Sequence, residues 1–211
     1  MVISLIGMSG SGKSHWSSLL SRSGFTRYCC DDLITERLSS ELRRADGTAL
    51  TLGEWMGFPY DDGYPEKEAK YLARENEVVA EVLGGIERHA PAVNPEKTVV
   101  DTTGSVIYTG RELLERLKSL TLVIHFASPP EARQEMLRAY MAKPRPILWR
   151  GLFNPEPGES RQEALRRCYE DLLESRELLY RELADVIIDY ETRRNPDFGI
   201  TDFLALAESA R

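Results

Sequence analysis

Apolar and polar positions along the 211-residue chain alternate between two patterns. Short runs such as Val2-Ile3-Ser4-Leu5-Ile6 and the stretch 120–126 are almost continuously apolar, the pattern of strands buried on both faces of a parallel sheet. Shorter runs at 25–30, 97–101 and 185–189 complete a set of five expected strands. Between them the apolar residues recur at helical spacing. Leu33, Ile34, Leu38 and Leu42 make one such stripe, predicting a helix over 33–44. Further helices are expected at 15–21, 66–89 (interrupted near Gly84-Gly85), 111–118, 130–141, 160–183 and 200–210. Strands that alternate with helices imply an α/β fold with a mostly parallel sheet and right-handed crossovers.

Two stretches fit neither pattern. Residues 46–65 hold Gly47, Gly53, Gly57, Pro59, Gly63 and Pro65, with Trp55, Phe58, Tyr60 and Tyr64 among them. So many aromatic residues argue against disorder. The insertion reads either as a cap over a substrate pocket, continued by 66–89, or as a loop that packs on the core. Residues 142–157 are rich in proline and arginine and read as a mobile lid.

The chemistry starts at Gly7-Met8-Ser9-Gly10-Ser11-Gly12-Lys13-Ser14, which satisfies G-x-x-x-x-G-K-[ST] at every fixed position. A strand enters it and a helix leaves it, as a phosphate-binding loop requires; the alternative is an ordinary Gly/Ser turn. Glycines let successive N–H groups turn inward on phosphate oxygens, and the helix adds its positive end. The nucleotide set is therefore Gly7, Ser9, Gly10, Ser11, Gly12, Lys13, Ser14 and His15. Lys13 would reach the β- and γ-phosphates of ATP and the Ser14 hydroxyl would hold Mg²⁺.

Phosphoryl transfer also needs carboxylates and a mobile cation. Asp31, Asp32 and Asp101 fall at the ends of expected strands, on the edge where ligands bind in open sheets. Asp101 reads as a metal-side acid and Asp32 as the acceptor of a hydrogen bond from the substrate hydroxyl. Each could instead cap the helix that follows, a role that suits Asp31 best. Arg145, set in Lys143-Pro144-Arg145-Pro146, reads as an arginine finger on a closable flap. Lys13, Asp32 and Arg145 are thus the expected catalytic residues.

These stretches together resemble the shikimate kinases, within the nucleoside-monophosphate-kinase-like P-loop kinases. The likeness runs from Met1 to about Pro196. It rests on the loop, on Asp32 with Glu36 against D-x-D-x-x-x-E, and on Arg74-Glu75-Asn76-Glu77 against R-x-x-E. It continues with Arg145-Pro146-Ile147-Leu148 against R-P-L-L, Arg176-Glu177-Leu178-Leu179-Tyr180 with Ala184-Asp185 against R-x-x-L-Y…A-D, and 192–196 against an adenine-side loop. The resemblance implies a single P-loop three-layer α/β/α domain over 1–211 that phosphorylates a hydroxyl of a small anionic metabolite with ATP. Asp32 would contact that hydroxyl, Arg74 and Arg176 would clamp a carboxylate, Gly104 would approach the acceptor ring, and Arg138 and Pro196 would flank adenine. The chain departs from the family at Cys30, where the first aspartate of D-x-D falls, and at Thr102-Thr103-Gly104-Ser105, where a triple glycine is expected. Acceptors outside shikimate are a sugar acid, an amino acid or a nucleoside. The competing reading is a nucleotide-binding protein with little transfer, acting through a partner.

Bulk properties narrow the setting. A net charge of −7 argues against a nucleic acid or an anionic membrane as partner. Three cysteines without metal-ligand spacing and an N-terminus that runs directly into a strand suggest a cytoplasmic protein.

Overall fold

A computed structural model describes residues 1–89 and 97–210. Five strands form one parallel sheet: β1 (Val2–Ile6), β2 (Thr26–Cys29), β3 (Thr98–Asp101), β4 (Leu122–Phe126) and β5 (Val186–Ile188), in the order β2-β3-β1-β4-β5. Along β1, Ile3 and Leu5 face one helical layer while Ile6 faces the other. Val99 and Val100 divide the same way on β3, as do Ile124 and Val123 on β4. This period of two is why these three inner strands are largely apolar: both of their faces are covered.

The first layer contains α1 (Lys13–Arg22) and α9 (Ile200–Ser209), where Trp16 stacks on Phe203 with ring centroids 5.1 Å apart. Opposite lie α2 (Cys30–Arg37), the short α3 (Leu52–Met56), α4 (Tyr64–His89), α5 (Arg111–Leu120) and α7 (Arg161–Leu183). Two further helices frame one end of the sheet, α6 (Pro130–Ala142) and the short α8 (Tyr190–Arg194).

Three expectations change in detail. The helix expected at 33–44 starts at Cys30 and ends at Arg37; the chain then folds back through an Arg43–Ala49 bridge, which keeps both Leu38 and Leu42 buried. Helix α4 runs unbroken through Gly84-Gly85. The lid segment divides in two. Residues 143–146 cross the mouth of a cleft, whereas Ile147, Leu148 and Trp149 are fully buried.

The insertion explains that division. Phe58 packs edge-on against Tyr140, and Trp149 meets Phe153 and Tyr169. The Tyr64 hydroxyl donates to the Ile147 carbonyl at 2.7 Å and accepts from the Trp149 N–H at 3.0 Å. Glu68, one helical turn on, accepts from the Arg150 N–H at 2.9 Å. The aromatic stretch therefore anchors the far half of the lid to the start of α4. Closing this chain across the cleft requires Gly53, whose Cα lies against Pro144 and Arg145.

Candidate active site

Strand register brings the chemistry to one edge. Leu5 pairs with Asp101, Cys29 pairs with Asp101, and Ile6 pairs with His125, so the ends of β1 to β4 lie level. The loop leaves β1 where the neighbours β3 and β4 diverge in chain order, the switch point where open sheets bind ligands. Gly7, Gly10 and Gly12 take φ of 140°, 88° and 98°, values that L side chains rarely adopt. The Lys13 ammonium is buried and folds back on the loop, donating to the Gly7 and Met8 carbonyls at 2.8 and 3.1 Å. Burial lowers its pKa, while Asp31 and Asp101 pull it upward. The Ser11 hydroxyl is buried inside the loop without a hydrogen-bond partner. An orphaned donor in a glycine cradle suits a phosphate oxygen.

Two clefts meet over this loop and share Ser9, Gly10, Gly12, His15 and Arg145. The first, about 380 Å³, lies between α6 and α8. Ala132, Met136 and Ala139 form one wall and Tyr190, Arg193 and Arg194 the other. Arg193 is fixed by the Ile188 and Ala127 carbonyls at 2.7 and 2.8 Å and lies over Phe126; desolvation pushes its pKa down to about 10. The second cleft, about 510 Å³, is bounded by Lys13, Ser14, Asp31, Thr51, Leu52, Gly53, Tyr71 and Gly104, with 143–146 above. Arg145 reaches from that strap to the Ser9 hydroxyl at 3.3 Å and covers Gly10.

The loop residues, Arg145 and Gly104 thus converge. Six other expected positions lie elsewhere. Asp32 is exposed and does not line either cleft; Asp31 does, with the Tyr71 hydroxyl 3.3 Å from its Oδ1. Because α2 starts at Cys30, the two acids sit about 100° apart around the helix, and only the first points to the loop. The Asp31 carboxyl opens on the cleft but is ringed by protein; that partial desolvation raises its pKa, against the pull of Lys13. Asp101 is buried behind the loop, its Oδ2 accepting from Ser17 at 2.9 Å and from Arg27 at 2.7 Å. Arg74 points outward to Glu77, because Glu75 takes the inward position next to it on α4. Arg176 is buried, donating to the Leu148 and Gly104 carbonyls at 2.6 and 3.2 Å and lying over Tyr108. Arg138 is exposed on the outside of α6, and Pro196 is exposed beyond α8. Tyr190, Arg193 and Arg194 line the first cleft in their place.

Sequence reasoning also missed a buried network behind the second cleft. Glu75 is wholly buried and accepts from the hydroxyls of Thr103 and Ser105. Desolvation raises its pKa to about 7, although both hydroxyls oppose the rise. The i, i+4 spacing of Tyr71 and Glu75 was the available signal: it places both on the inner face of α4. A pH dependence of stability follows. In the unfolded chain the carboxyl ionises near 4.5, whereas in the folded chain it holds its proton until about 7. The folded state therefore binds the extra proton between those values, and stability falls as pH rises through the window. Glu75→Gln should abolish that fall and exceed the parent above it by roughly 2–3 kcal/mol. Urea unfolding at about pH 5 and about pH 8 checks this; an unchanged slope in the variant would assign it to another group.

A shikimate kinase of Methylococcus capsulatus is 28% identical over 187 residues, 89% of this chain and 82% of that one. No family model matches. Among solved structures, a shikimate kinase from Acinetobacter baumannii in complex with shikimate superposes with a TM-score of 0.56 at 21% identity, over 99% of this chain and 89% of its own. A shikimate kinase from Aquifex aeolicus gives 0.58 at 20% identity, over 99% and 96%. The chain has a P-loop kinase fold. A dephospho-CoA kinase from Campylobacter jejuni carries the same P-loop kinase fold at 14% identity and a TM-score of 0.51, over 99% of this chain and 94% of that one. The fold is therefore common to kinases that act on different acceptors. Among the described residues no helix is long and apolar enough to cross a membrane.

Proposed function

We propose that this protein transfers the γ-phosphoryl group of ATP to a hydroxyl of a small molecule bound in the second cleft. The observation that carries this reading is Arg145, which bridges the two clefts over Ser9 and Gly10 while Asp31 faces it from the cleft wall. ATP would lie with its base between α6 and α8 and its phosphates on the loop, where Lys13 would exchange the Gly7 and Met8 carbonyls for phosphate oxygens. Asp31 would accept the acceptor's hydroxyl proton as its oxygen bonds to the γ-phosphorus. The bond from that phosphorus to the β–γ bridging oxygen breaks, and ADP leaves with the electron pair. Arg145 would stabilise the charge on the oxygens in transit.

The donor set fits Mg²⁺, a hard cation that takes oxygen ligands. Ser14 is exposed in the second cleft, so its hydroxyl would hold the ion together with phosphate oxygens, leaving Asp31 to accept the proton. Asp101 would contribute by fixing Ser17 and Arg27 beneath α1. When bound, Mg²⁺ supplies charge neutralisation on the phosphates.

The test is acceptor-dependent ADP release across a panel of alcohols. Asp31→Asn should lower kcat by about a hundredfold or more, and Asp32→Asn should leave it within about threefold. Equal effects from both variants, or consumption of ATP that no acceptor raises above the water background, would defeat the reading.

A further inference from the structure

One buried guanidinium joins two segments that the chain itself keeps apart. Arg176, on α7, is 3% exposed and lines neither cleft. Its Nη2 donates to the Leu148 carbonyl at 2.6 Å and its Nη1 to the Gly104 carbonyl at 3.2 Å, while the group lies over the Tyr108 ring. The buried Glu75 carboxyl feels its charge. Leu148 is the buried root of the strap, three residues beyond Arg145. Gly104 lines the second cleft and also lies against the donor loop, where a Cβ on it would come within 3.1 Å of the Ser9 N and 3.7 Å of the Gly7 carbonyl oxygen.

These contacts close a ring. Arg145 reaches the Ser9 hydroxyl at 3.3 Å, Ser9 abuts Gly104, Arg176 holds Gly104, and the same guanidinium returns to the strap at Leu148. Tyr64 and Glu68 also grip the strap, but they tie it to α4. The Arg176 fork ties it to the turn that abuts the loop, and so sets how Arg145 sits over the phosphate cradle. Arginine suits this task because its planar fork serves two carbonyls at once; lysine, a point charge on a flexible stem, does not hold both in register. The two ends are unequal. Tyr180 also donates to the Gly104 carbonyl, so that turn keeps a partner without Arg176, whereas the Leu148 carbonyl loses this buried donor.

We propose that Arg176 is a positioning residue for Arg145: it latches the root of the strap to the acceptor-side turn and so registers the strap on the donor loop. This rests on the kinase reading above and assigns to the same site a residue that acts from behind it. The latch takes the place of the carboxylate clamp that the resemblance implies for Arg176. An acceptor that bears on Gly104 would press on the same ring, so filling of the second cleft would be felt at Arg145.

The experiment compares the full chain with Arg176→Met, which keeps the apolar stem and removes the fork, and with Arg176→Lys. Amide hydrogen exchange is followed with Mg²⁺ and a non-hydrolysable ATP analogue present. In Arg176→Met, exchange over 145–150 should rise about tenfold or more, while 102–106 and α1 exchange as in the parent. Arg176→Lys should lie between the two, and it carries the comparison alone if the methionine variant does not fold. In steady state, with the panel alcohol that gives the parent its highest rate, Arg176→Met should lower kcat by about a hundredfold and change the acceptor KM by less than about threefold. Added to Arg145→Ala it should cost less than about a further threefold, because a strap without its guanidinium has nothing left to position. Parental exchange over 145–150, a raised acceptor KM with parental kcat, or additive losses in the double variant would overturn the proposal. A parent that transfers phosphate to no alcohol sinks the kinase reading instead, and hydrogen exchange still decides the latch.

Discussion

Arg145→Ala should lower kcat by about a thousandfold or more while the KM for ATP changes by only about threefold. The guanidinium is already within 3.3 Å of the Ser9 hydroxyl and covers Gly10, so it enters the transfer with little reorganisation. The prolines on either side hold it out of helix and sheet, and the buried Ile147-Leu148-Trp149 segment fixes the strap behind it. Lysine should recover only part of the loss, because a point charge does not reproduce the planar fork. Steady-state kinetics with saturating acceptor decide the matter. A kcat within about tenfold of the parent would take Arg145 out of the transition state and leave it a structural arm of the strap.

Gly53→Ala should reproduce much of that loss from a residue that carries no functional group. A Cβ at this position would overlap the Pro144 carbonyl and come within 2.8 Å of the Arg145 Cα. Backbone cannot give way as a flexible side-chain tip can, so either α3 or the strap must shift. A shift of about 1 Å in Arg145 is enough to cost on the order of a hundredfold in rate. Overpacking of this kind also destabilises by about 1–3 kcal/mol, seen as a Tm lower by several degrees. ATP binding should persist, because the loop, α6 and α8 are untouched. Thermal unfolding and kcat measured on the same preparation test both parts; a parental rate with a parental Tm would mean that the strap does not seat on Gly53.

The glycine-rich loop was legible in the sequence because its chemistry is local. Eight consecutive residues carry the loop, and the flanking strand and helix follow from apolar periodicity. The sheet was legible for the same reason: the inner strand runs β1, β3 and β4 are largely apolar on both faces, and five strand runs alternate with helices. Acceptor-side residues were harder because their direction depends on where a helix begins. With a helix start at Cys30 rather than Leu33, Asp31 and not Asp32 opens on the second cleft. On α4, one residue of rotation separates Glu75 from Arg74, and motif spacing drew attention to the charged residue that faces out. Arg176 carried the right identity, but its destination depends on the Leu148 carbonyl, which reaches it only through tertiary folding. The aromatic insertion was expected either to cap a substrate pocket or to pack on the core. It packs on the core, and in doing so it pins one end of the strap whose other face closes the cleft.

That pinned strap has a thermodynamic consequence. With Ile147-Leu148-Trp149 buried and Tyr64 and Glu68 holding the chain behind them, the segment left to order over a bound nucleotide is Lys143-Pro144-Arg145-Pro146, half of it proline. Little conformational entropy remains to be lost, and little fresh apolar surface is covered on closure. Calorimetric titration of the nucleotide should accordingly show a small heat-capacity change, with a binding enthalpy nearly constant with temperature, unlike a kinase that folds a long lid on binding.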